Sequence, residues 1–198
     1  MSTHRIFLLS PAHCGGKRAG VLLRPEASFD LAARLRSPEG APLGEVFSFL
    51  SGLYFRGKMA YSRRFAAPPA GLPGSLVITT CRGLVPPETR VHPSDLEAFA
   101  AVPIDPREPR YREPLAADLA RLAAEAPVGC DFVLLGSVAT AKYVDLLLAA
   151  LGDRILFPSV FAGMGDMQRG ALLLRSAREG VELTSVPVAG AVLTGRAR

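Results

Sequence analysis

The chain has 198 residues, of which 49% are apolar and 21% charged, a balance typical of one globular domain with a sizeable core. No apolar run is long enough to cross a bilayer and the first ten residues lack a secretory signal, so we expect a cytoplasmic protein without membrane contact. The net charge of +5 permits a nucleic-acid or phosphate-bearing partner without requiring one, because an excess of arginine over lysine also follows from a GC-rich genome.

The first predicted strand, residues 5–10, leads into a turn rich in small and basic residues. Gly15 and Gly16, followed by Lys17 and Arg18, predict free backbone amides and cations that bind a phosphate or a carboxylate. The full spacing of a Walker loop is missing. The alternative interpretation is a flexible turn whose basic side chains are solvated.

Cys14 follows His13 in the same turn and is a candidate catalytic nucleophile, because a neighbouring imidazole activates a thiol. No third member of such a constellation is identifiable, and Cys81 and Cys130 are predicted to be packing residues. An odd cysteine count without framework spacing predicts reduced thiols. The chain has neither a CxxC pair nor a histidine cluster, so we expect no metal site, and the sequence identifies no cofactor.

A long helix is predicted over residues 43–66, with aromatic residues on one face. Four basic residues lie in its second half: Arg56, Lys58, Arg63 and Arg64. Basic side chains interleaved with Tyr54 and Tyr61 are typical of a surface that grips a nucleic-acid backbone and stacks bases. The alternative is a solvated basic face beside a buried aromatic stripe.

The second predicted strand, residues 75–80, is followed by Arg82, a further candidate anion ligand. The segment 86–114 is rich in proline and charge, and it predicts a long surface excursion rather than a second domain. Within it, Ser94 is predicted to cap a short helix with Glu97 at the capping-box position.

The third predicted strand, residues 131–136, is apolar throughout, as expected of a buried central strand. A strand-to-helix turn follows, in which Ser137, Thr140 and Lys142 offer hydroxyls and a cation beside the free amides of a helix start. This turn predicts an anion site, with ordinary helix capping as the alternative.

A short fourth strand, residues 154–157, precedes a glycine-rich turn and a helix over residues 167–179. We predict that Asp166 lies at or next to the start of this helix, where it is a good N-cap, and that Arg169 lies in the first turn. The two side chains either form a local ion pair or point into the crevice at the strand ends. Asp166 is the best acid–base candidate, because it follows a strand most directly among the carboxylates, and Arg169 is a candidate anion ligand.

Together these elements predict a single α/β domain over residues 1–198, with a mostly parallel sheet of about five strands and helices on both faces. The remaining predicted elements are strands at 182–188 and 191–194 and helices at 115–126 and 140–151. Ligands of open parallel sheets bind outside the carboxyl ends of the strands. The glycine- and donor-rich turns after four strands therefore predict one binding site at that end.

Two segments resemble the YaaA peroxide-stress family. Residues 6–12, Ile-Phe-Leu-Leu-Ser-Pro-Ala, resemble the strand and Ser-Pro-Ala turn at the start of that family, and residues 50–54, Leu-Ser-Gly-Leu-Tyr, resemble a short motif of it. His13 stands where the family has a lysine. Residues 14–17, 53–58 and 83–86 resemble small YaaA-related domains, including ones attached to archaeosine-type tRNA-modifying enzymes.

Those domains look like uracil-DNA glycosylases in fold. The resemblance covers scattered pieces of roughly the first hundred residues and finds no counterpart in the carboxyl half. It implies an α/β fold and a nucleic-acid or nucleobase context, without a reaction.

Two hypotheses follow from the sequence. The first is an enzyme or ligand-binding protein directed at a nucleotide, nucleoside or nucleic-acid base, with an anion site at the carboxyl ends of the strands. The second is a non-catalytic module that contacts a nucleic acid or a protein through the basic helix and the proline-rich excursion. Salt-dependent binding to generic DNA or RNA would favour the second hypothesis, and stabilisation by a small nucleotide the first.

Overall fold

A computed structural model describes residues 4–138 and 141–191 of the chain. Its strands, in chain order, are β1 (His4–Leu9), β2 (Ala41–Pro42), β3 (Ser75–Ile78), β4 (Leu84–Val85), β5 (Arg90–Val91), β6 (Cys130–Leu135), β7 (Ile155–Pro158) and β8 (Ser185–Pro187). Its α-helices are α1 (Lys17–Leu23), α2 (Asp30–Arg36), α3 (Leu43–Ser51), α4 (Leu53–Phe65), α5 (Pro93–Ala101), α6 (Pro109–Glu125), α7 (Ala141–Leu151), α8 (Asp166–Glu179) and α9 (Val188–Ala191). None of the helices in these two ranges has the length and apolarity to cross a membrane.

Within the described residues, the main sheet has six strands in the order β4-β3-β1-β6-β7-β8. Strand β1 runs parallel to β3 and β6, and β6 runs parallel to β7, while β4 and β8 join the two edges in the antiparallel direction. The expected α/β architecture, with a mostly parallel sheet of about five strands, is confirmed.

The core lies on both sides of β1 and β6. Four consecutive residues of β1, from Ile6 to Leu9, are fully buried, and Phe132 to Leu135 of β6 are almost as completely enclosed. Successive side chains of a strand point to opposite faces, so a run without exposed positions requires cover on both faces. This explains why continuous apolar runs marked these strands in the sequence.

The predicted helix over 43–66 is instead two helices, α3 and α4, separated by Gly52. Gly52 has a φ of +64°, a conformation that L side chains rarely adopt, and the Arg18 guanidinium fills the space where its Cβ would lie. The apolar pattern continues across this break, which is why the sequence alone suggested one helix. Helices α1 and α2 were not predicted, because seven residues are too few to show a clear helical period.

The segment 86–114, predicted to be a long surface excursion, contains regular secondary structure. It contains β5, which pairs with β2 in a small antiparallel sheet, together with α5 and the start of α6. Helix α5 begins at Pro93, and the Asp95 carboxylate accepts a hydrogen bond from the His92 backbone N–H at 2.8 Å, so the capping roles predicted for Ser94 and Glu97 are wrong.

Helix α8 starts one residue earlier than predicted. Asp166 is its first residue and Gly165 is the N-cap, with the Gln168 side-chain oxygen accepting from the Gly165 N–H at 3.0 Å. Asp166 therefore lies at the start of the helix, and Arg169 in its first turn, as predicted, whereas the N-cap role predicted for Asp166 is wrong.

Helices α4 and α8 pack against each other through glycines. A Cβ on Gly57 would lie 2.7 Å from the Gly170 carbonyl oxygen, and a Cβ on Gly170 would lie 2.8 Å from the Leu53 carbonyl oxygen. The two backbones therefore approach more closely than any larger side chains allow. This contact sets the side chains of α4 beside the first turn of α8.

Candidate functional site

A cavity of about 430 Å³ lies where β1 and β6 end. Its walls come from the turn after β1, the end of α3 with the first half of α4, the residues after α5, the turn after β6 with the start of α7, and the first residue of α8. The polar residues that line it are Ser10, His13, Ser51, Tyr54, Lys58, Ser137, Lys142, Tyr143 and Asp166. This is the edge of the sheet at which a ligand site was predicted.

The most unusual of these residues is Lys58, which is only 1% exposed. Its Nζ lies 2.6 Å from Ser10 Oγ, 3.0 Å from the Ser10 carbonyl oxygen and 4.1 Å from the centre of the Tyr54 ring. Lysine is almost never fully buried without a partner. Here the partners are a hydroxyl, a carbonyl and an aromatic face, and no carboxylate forms an ion pair with Lys58 within the described ranges.

Burial lowers the pKa of Lys58 from 10.5 to about 7, because an ammonium loses its hydration there. The nearby carboxylate of Asp166 opposes this decrease in the pKa, and the Arg169 guanidinium adds to it. The amine is therefore present in both protonation states near neutral pH. A lysine in this condition serves as a general base or as a nucleophile.

The position of Lys58 follows from the helical period of α4. Tyr54, Lys58 and Tyr61 are spaced four and three residues apart, so they share the face that α4 turns toward the sheet, and all three are buried. Arg56 and Arg63 fall on the other side and are exposed. The interpretation of Lys58 as part of a solvent-facing basic face is therefore wrong.

Arg169 lies behind the cavity wall with its side chain 12% exposed. Its Nη2 donates to the Phe161 carbonyl oxygen at 3.0 Å, and its Nη1 lies 3.7 Å from Asp166 Oδ1. Its Nε and the Tyr54 hydroxyl are buried without a hydrogen-bond partner among the described residues. Burial raises the pKa of Tyr54, which keeps that hydroxyl protonated as a donor.

Tyr143 fixes the turn after β6. Its hydroxyl lies 3.0 Å from both the backbone nitrogen and the carbonyl oxygen of Ser137, accepting from the first and donating to the second. A Cβ on Gly136 would lie 2.8 Å from this hydroxyl and 2.9 Å from the Ser10 Cβ, so only glycine fits between them. The ends of β1 and β6 are thereby held together at the cavity floor.

A second cavity of about 520 Å³ lies on the other side of the turn after β1. It is lined mainly by apolar side chains of α5 and the residues after it, with Cys14 and Thr80 from the strand ends. The two cavities share the turn residues 11–13, Ile104 and Lys142.

The structure brings Ser137, Lys142 and Asp166 together at the first cavity, as the sequence predicted for strand-end residues. Lys142 is exposed, and the Asp166 side chain is 73% exposed, so both reach solvent at its rim. Thr140, predicted in the same turn, lies outside the described residues.

Cys14 is buried, and it lines the second cavity rather than the first. Its Sγ points to the Ala12 carbonyl oxygen at 3.7 Å, and burial raises the pKa of the thiol to about 12. A thiol that stays protonated is a poor nucleophile, so this environment disfavours the catalytic role suggested for Cys14. Cys14, Cys81 and Cys130 are all free cysteines.

The other predicted anion ligands stand apart from both cavities. Gly15, Gly16 and Lys17 lead into α1, and Arg18 donates to the Phe49 carbonyl oxygen at 3.1 Å, which ties α1 to α3. Arg82 forms an ion pair with Asp95 and lies over the Phe99 ring. These contacts give Arg18 and Arg82 structural roles.

Arg56, Arg63 and Arg64 are exposed on α4, and none forms an ion pair with a residue of the described part of the chain. Arg64 lies near the end of α8, since its Nη2 is 3.1 Å from where a Cβ on Gly180 would be. The exposed basic face predicted on this helix is therefore present without Lys58.

Sequence reasoning missed Ser10, Tyr143 and the cavity role of Lys58. The available signal for Lys58 was a lysine at an apolar position of the helical period, between Tyr54 and Tyr61. The signal for Ser10 was a hydroxyl directly after the apolar run of residues 6–9. Nothing in the sequence marked Tyr143, because its contact with Ser137 depends on the turn geometry.

No group of three or more potential metal-ligating side chains lies together in residues 4–138 and 141–191. Comparison of the chain with protein-family models, curated proteins and solved structures returns no match. A functional assignment therefore depends on the geometry of the strand-end cavity.

Proposed function

We propose that the protein is an enzyme directed at a nucleotide, nucleoside or nucleic-acid base, and that it binds this ligand in the cavity at the ends of β1 and β6. The observation that carries the proposal is the buried Lys58 amine on the cavity wall, 2.6 Å from Ser10 Oγ and with a pKa of about 7. A desolvated lysine with a shifted pKa in a cleft is characteristic of a functional site.

The size and composition of the cavity support a small polar ligand. About 430 Å³ falls in the range of small-molecule sites, which have roughly 300–1,000 Å³. Lys142 supplies a cation for a phosphate at the rim, and the polar side chains of Ser51 and Ser137 line the same cavity. Asp166 adds the one carboxylate of the described lining residues, suited to an amine or hydroxyl of the ligand.

The family resemblance supports the same ligand class. Its two main segments meet at this cavity, because Ser10 to Ala12 form one wall, and Leu50, Ser51 and Tyr54 form the adjacent one. In the related domains these motifs imply a nucleic-acid or nucleobase context. The segments are separate in the chain, so their meeting at one cavity is not a consequence of sequence proximity.

Ligand-dependent thermal stabilisation tests the proposal. Nucleoside monophosphates and nucleosides of all four bases are compared with ribose 5-phosphate, using the wild-type protein, Lys58→Met and Arg63→Met as the matched control outside the cavity. We expect at least one nucleotide or nucleoside to stabilise the wild type and Arg63→Met, since a ligand at 100 times its Kd adds about 2.7 kcal/mol. Lys58→Met should lose this response. If no member of the panel raises the melting temperature, the ligand class is wrong.

A second candidate function rests on a separate observation, the exposed Arg56, Arg63 and Arg64 without ion-pair partners among the described residues. Arg175 and Arg178 of α8 are also exposed. Such a surface suits a nucleic-acid backbone, as in a non-catalytic interaction module. Binding to generic single-stranded RNA or DNA that weakens steeply with salt, and that is lost in Arg56→Ala/Arg63→Ala/Arg64→Ala, would favour this function.

A further inference from the structure

We infer that Ser10 and Lys58 form a nucleophile–base pair, and that the cavity carries out acyl transfer from an ester substrate through a covalent intermediate on Ser10. The inference rests on the proposed function in that it takes the cavity as the active site, and it specifies the substrate as an acyl ester of the nucleoside or nucleotide. Serine is activated by an adjacent base, and serine–lysine pairs are a known variant of that arrangement.

The geometry of the pair is that of an activated hydroxyl. Ser10 Oγ and Lys58 Nζ are 2.6 Å apart, Ser10 lies on the cavity wall, and both residues are buried. Ser10 is held in place by its own backbone N–H, which donates to the Leu135 carbonyl oxygen at 3.2 Å. The nucleophile therefore sits on a rigid strand end rather than on a loose loop.

The three neighbours of Lys58 Nζ satisfy both of its protonation states. A neutral amine has two N–H donors and one lone pair, and these match the Ser10 carbonyl, the Tyr54 ring face and the proton of Ser10 Oγ–H. An ammonium has three donors, and the same carbonyl, ring and Ser10 Oγ accept them. A proton can thus pass from Ser10 to Lys58 without any rearrangement of the partners.

Charged groups around the pair come from two further elements. From α8, the Asp166 carboxylate and the Arg169 guanidinium both act on the charge of the Lys58 amine, while from α7 the Lys142 ammonium lines the same cavity and Tyr143 stands beside Ser10. His13 lines the same cavity. These charges oppose each other in their effect on Lys58, so burial remains the main reason that the amine accepts a proton near neutral pH.

The proposed reaction starts at the Ser10 hydroxyl and passes through an acyl-serine intermediate. Ser10 Oγ attacks the carbonyl carbon of the ester as its proton moves to Lys58 Nζ, and the carbonyl oxygen becomes an oxyanion. When the tetrahedral intermediate collapses, the bond to the leaving alcohol breaks and Lys58 returns the proton to that alcohol. Water then attacks the acyl-serine, with Lys58 again accepting and returning a proton, and releases the carboxylic acid.

The turn after β1 supplies donors for the oxyanion. The backbone N–H groups of Ala12 and His13, two and three residues after Ser10, donate no hydrogen bond to any residue that the structure describes. Both residues line the same cavity as Ser10. Unpaired backbone donors beside a nucleophile are the usual means of stabilising a developing oxyanion.

Covalent labelling by a small serine-directed reagent, phenylmethanesulfonyl fluoride or a short-chain fluorophosphonate, tests the pair directly. We expect stoichiometric modification of wild-type Ser10, located by peptide mass spectrometry, with a rate that rises with pH around a midpoint near 7. Lys58→Met should slow labelling by at least about 100-fold, the usual contribution of a general base. Lys17→Met, the same substitution away from both cavities, should label at the wild-type rate, and Ser10→Ala should not label.

Lys58→Arg provides a second variant, because arginine retains a cation but cannot act as a base near neutral pH. Circular dichroism establishes that each variant is folded. An unmodified Ser10 in the wild type, or equal labelling rates in the wild type and both Lys58 variants, overturns the inference. If Ser10 is labelled but no nucleotide stabilises the protein, the nucleophile–base pair stands and the proposed ligand class is wrong. If a nucleotide stabilises the protein but Ser10 is not labelled, the ligand class stands and the nucleophile–base pair is wrong.

Discussion

Raising the pH from about 7 to about 8.5 should stabilise the protein, and replacing Lys58 with Met should remove that gain. Burial lowers the pKa of Lys58 to about 7 in the folded protein, whereas the unfolded chain has the ordinary value of 10.5. Between these two values the unfolded state binds more protons than the folded state. The free energy of unfolding therefore rises with pH in this interval.

The size of the effect follows from the two pKa values. The limiting slope is about 1.4 kcal/mol per pH unit, and near pH 7 it is about half of that because the folded amine is half protonated. Integration from pH 7 to 8.5 gives a gain of about 1–2 kcal/mol. The pH range of the experiment ends at 8.5 because of Cys14. Burial raises the pKa of its thiol from 9.0 to about 12, so the free energy of unfolding falls as the pH rises above about 9.

Urea unfolding of the wild type and of Lys58→Met at both pH values measures the effect. The variant carries the same remaining titratable groups, so the difference between the two pH dependences isolates Lys58. We expect the wild type to gain about 1–2 kcal/mol more than the variant, with unchanged m-values. Parallel curves for the two proteins would refute the assignment of a strongly lowered pKa to Lys58.

Gly170→Ala should destabilise the protein relative to Gly20→Ala, the same exchange in α1 where no atom lies within 4 Å of the new Cβ. The difference isolates the cost of forcing α4 and α8 apart, about 1–3 kcal/mol in urea unfolding, and equal stabilities would contradict the close contact. Asp166→Asn should leave the melting temperature nearly unchanged, because Gly165 is the N-cap, while weakening stabilisation by any nucleotide that the wild type binds. Full ligand response in that variant would exclude Asp166 from the site.

The sheet was predictable because its strands are buried on both faces. Runs such as Ile6 to Leu9 and Phe132 to Leu135 have no polar interruption, and this is the pattern that parallel strands leave in a sequence. The rule that ligands bind at the carboxyl ends of parallel strands then predicted where the cavity lies. It also predicted three of the lining residues, Ser137, Lys142 and Asp166. Short elements such as α1 and β5 were missed, since seven and two residues carry little periodic signal.

The centre of the candidate site was harder to predict for a physical reason. Lys58 lies in a helix that also carries three exposed arginines, and the charge composition of that segment favoured a solvated face. The helical period placed it between Tyr54 and Tyr61 instead. Ser10, which accepts a hydrogen bond from the buried Lys58 amine, is 48 residues away in the chain. No local sequence pattern connects these two residues.

The glycine contact between α4 and α8 also sets the register of the site. Advancing α4 by one residue would translate it by about 1.5 Å and rotate it by about 100°. A residue with a side chain would then replace Gly57 opposite Gly170, where even a Cβ would lie too close to the backbone of α8. Sliding of this helix is thus blocked, and Met59 or Gly57 cannot take the place of Lys58 beside Ser10. The contact between Gly57 and Gly170 therefore fixes where along the helix axis the Lys58 amine lies.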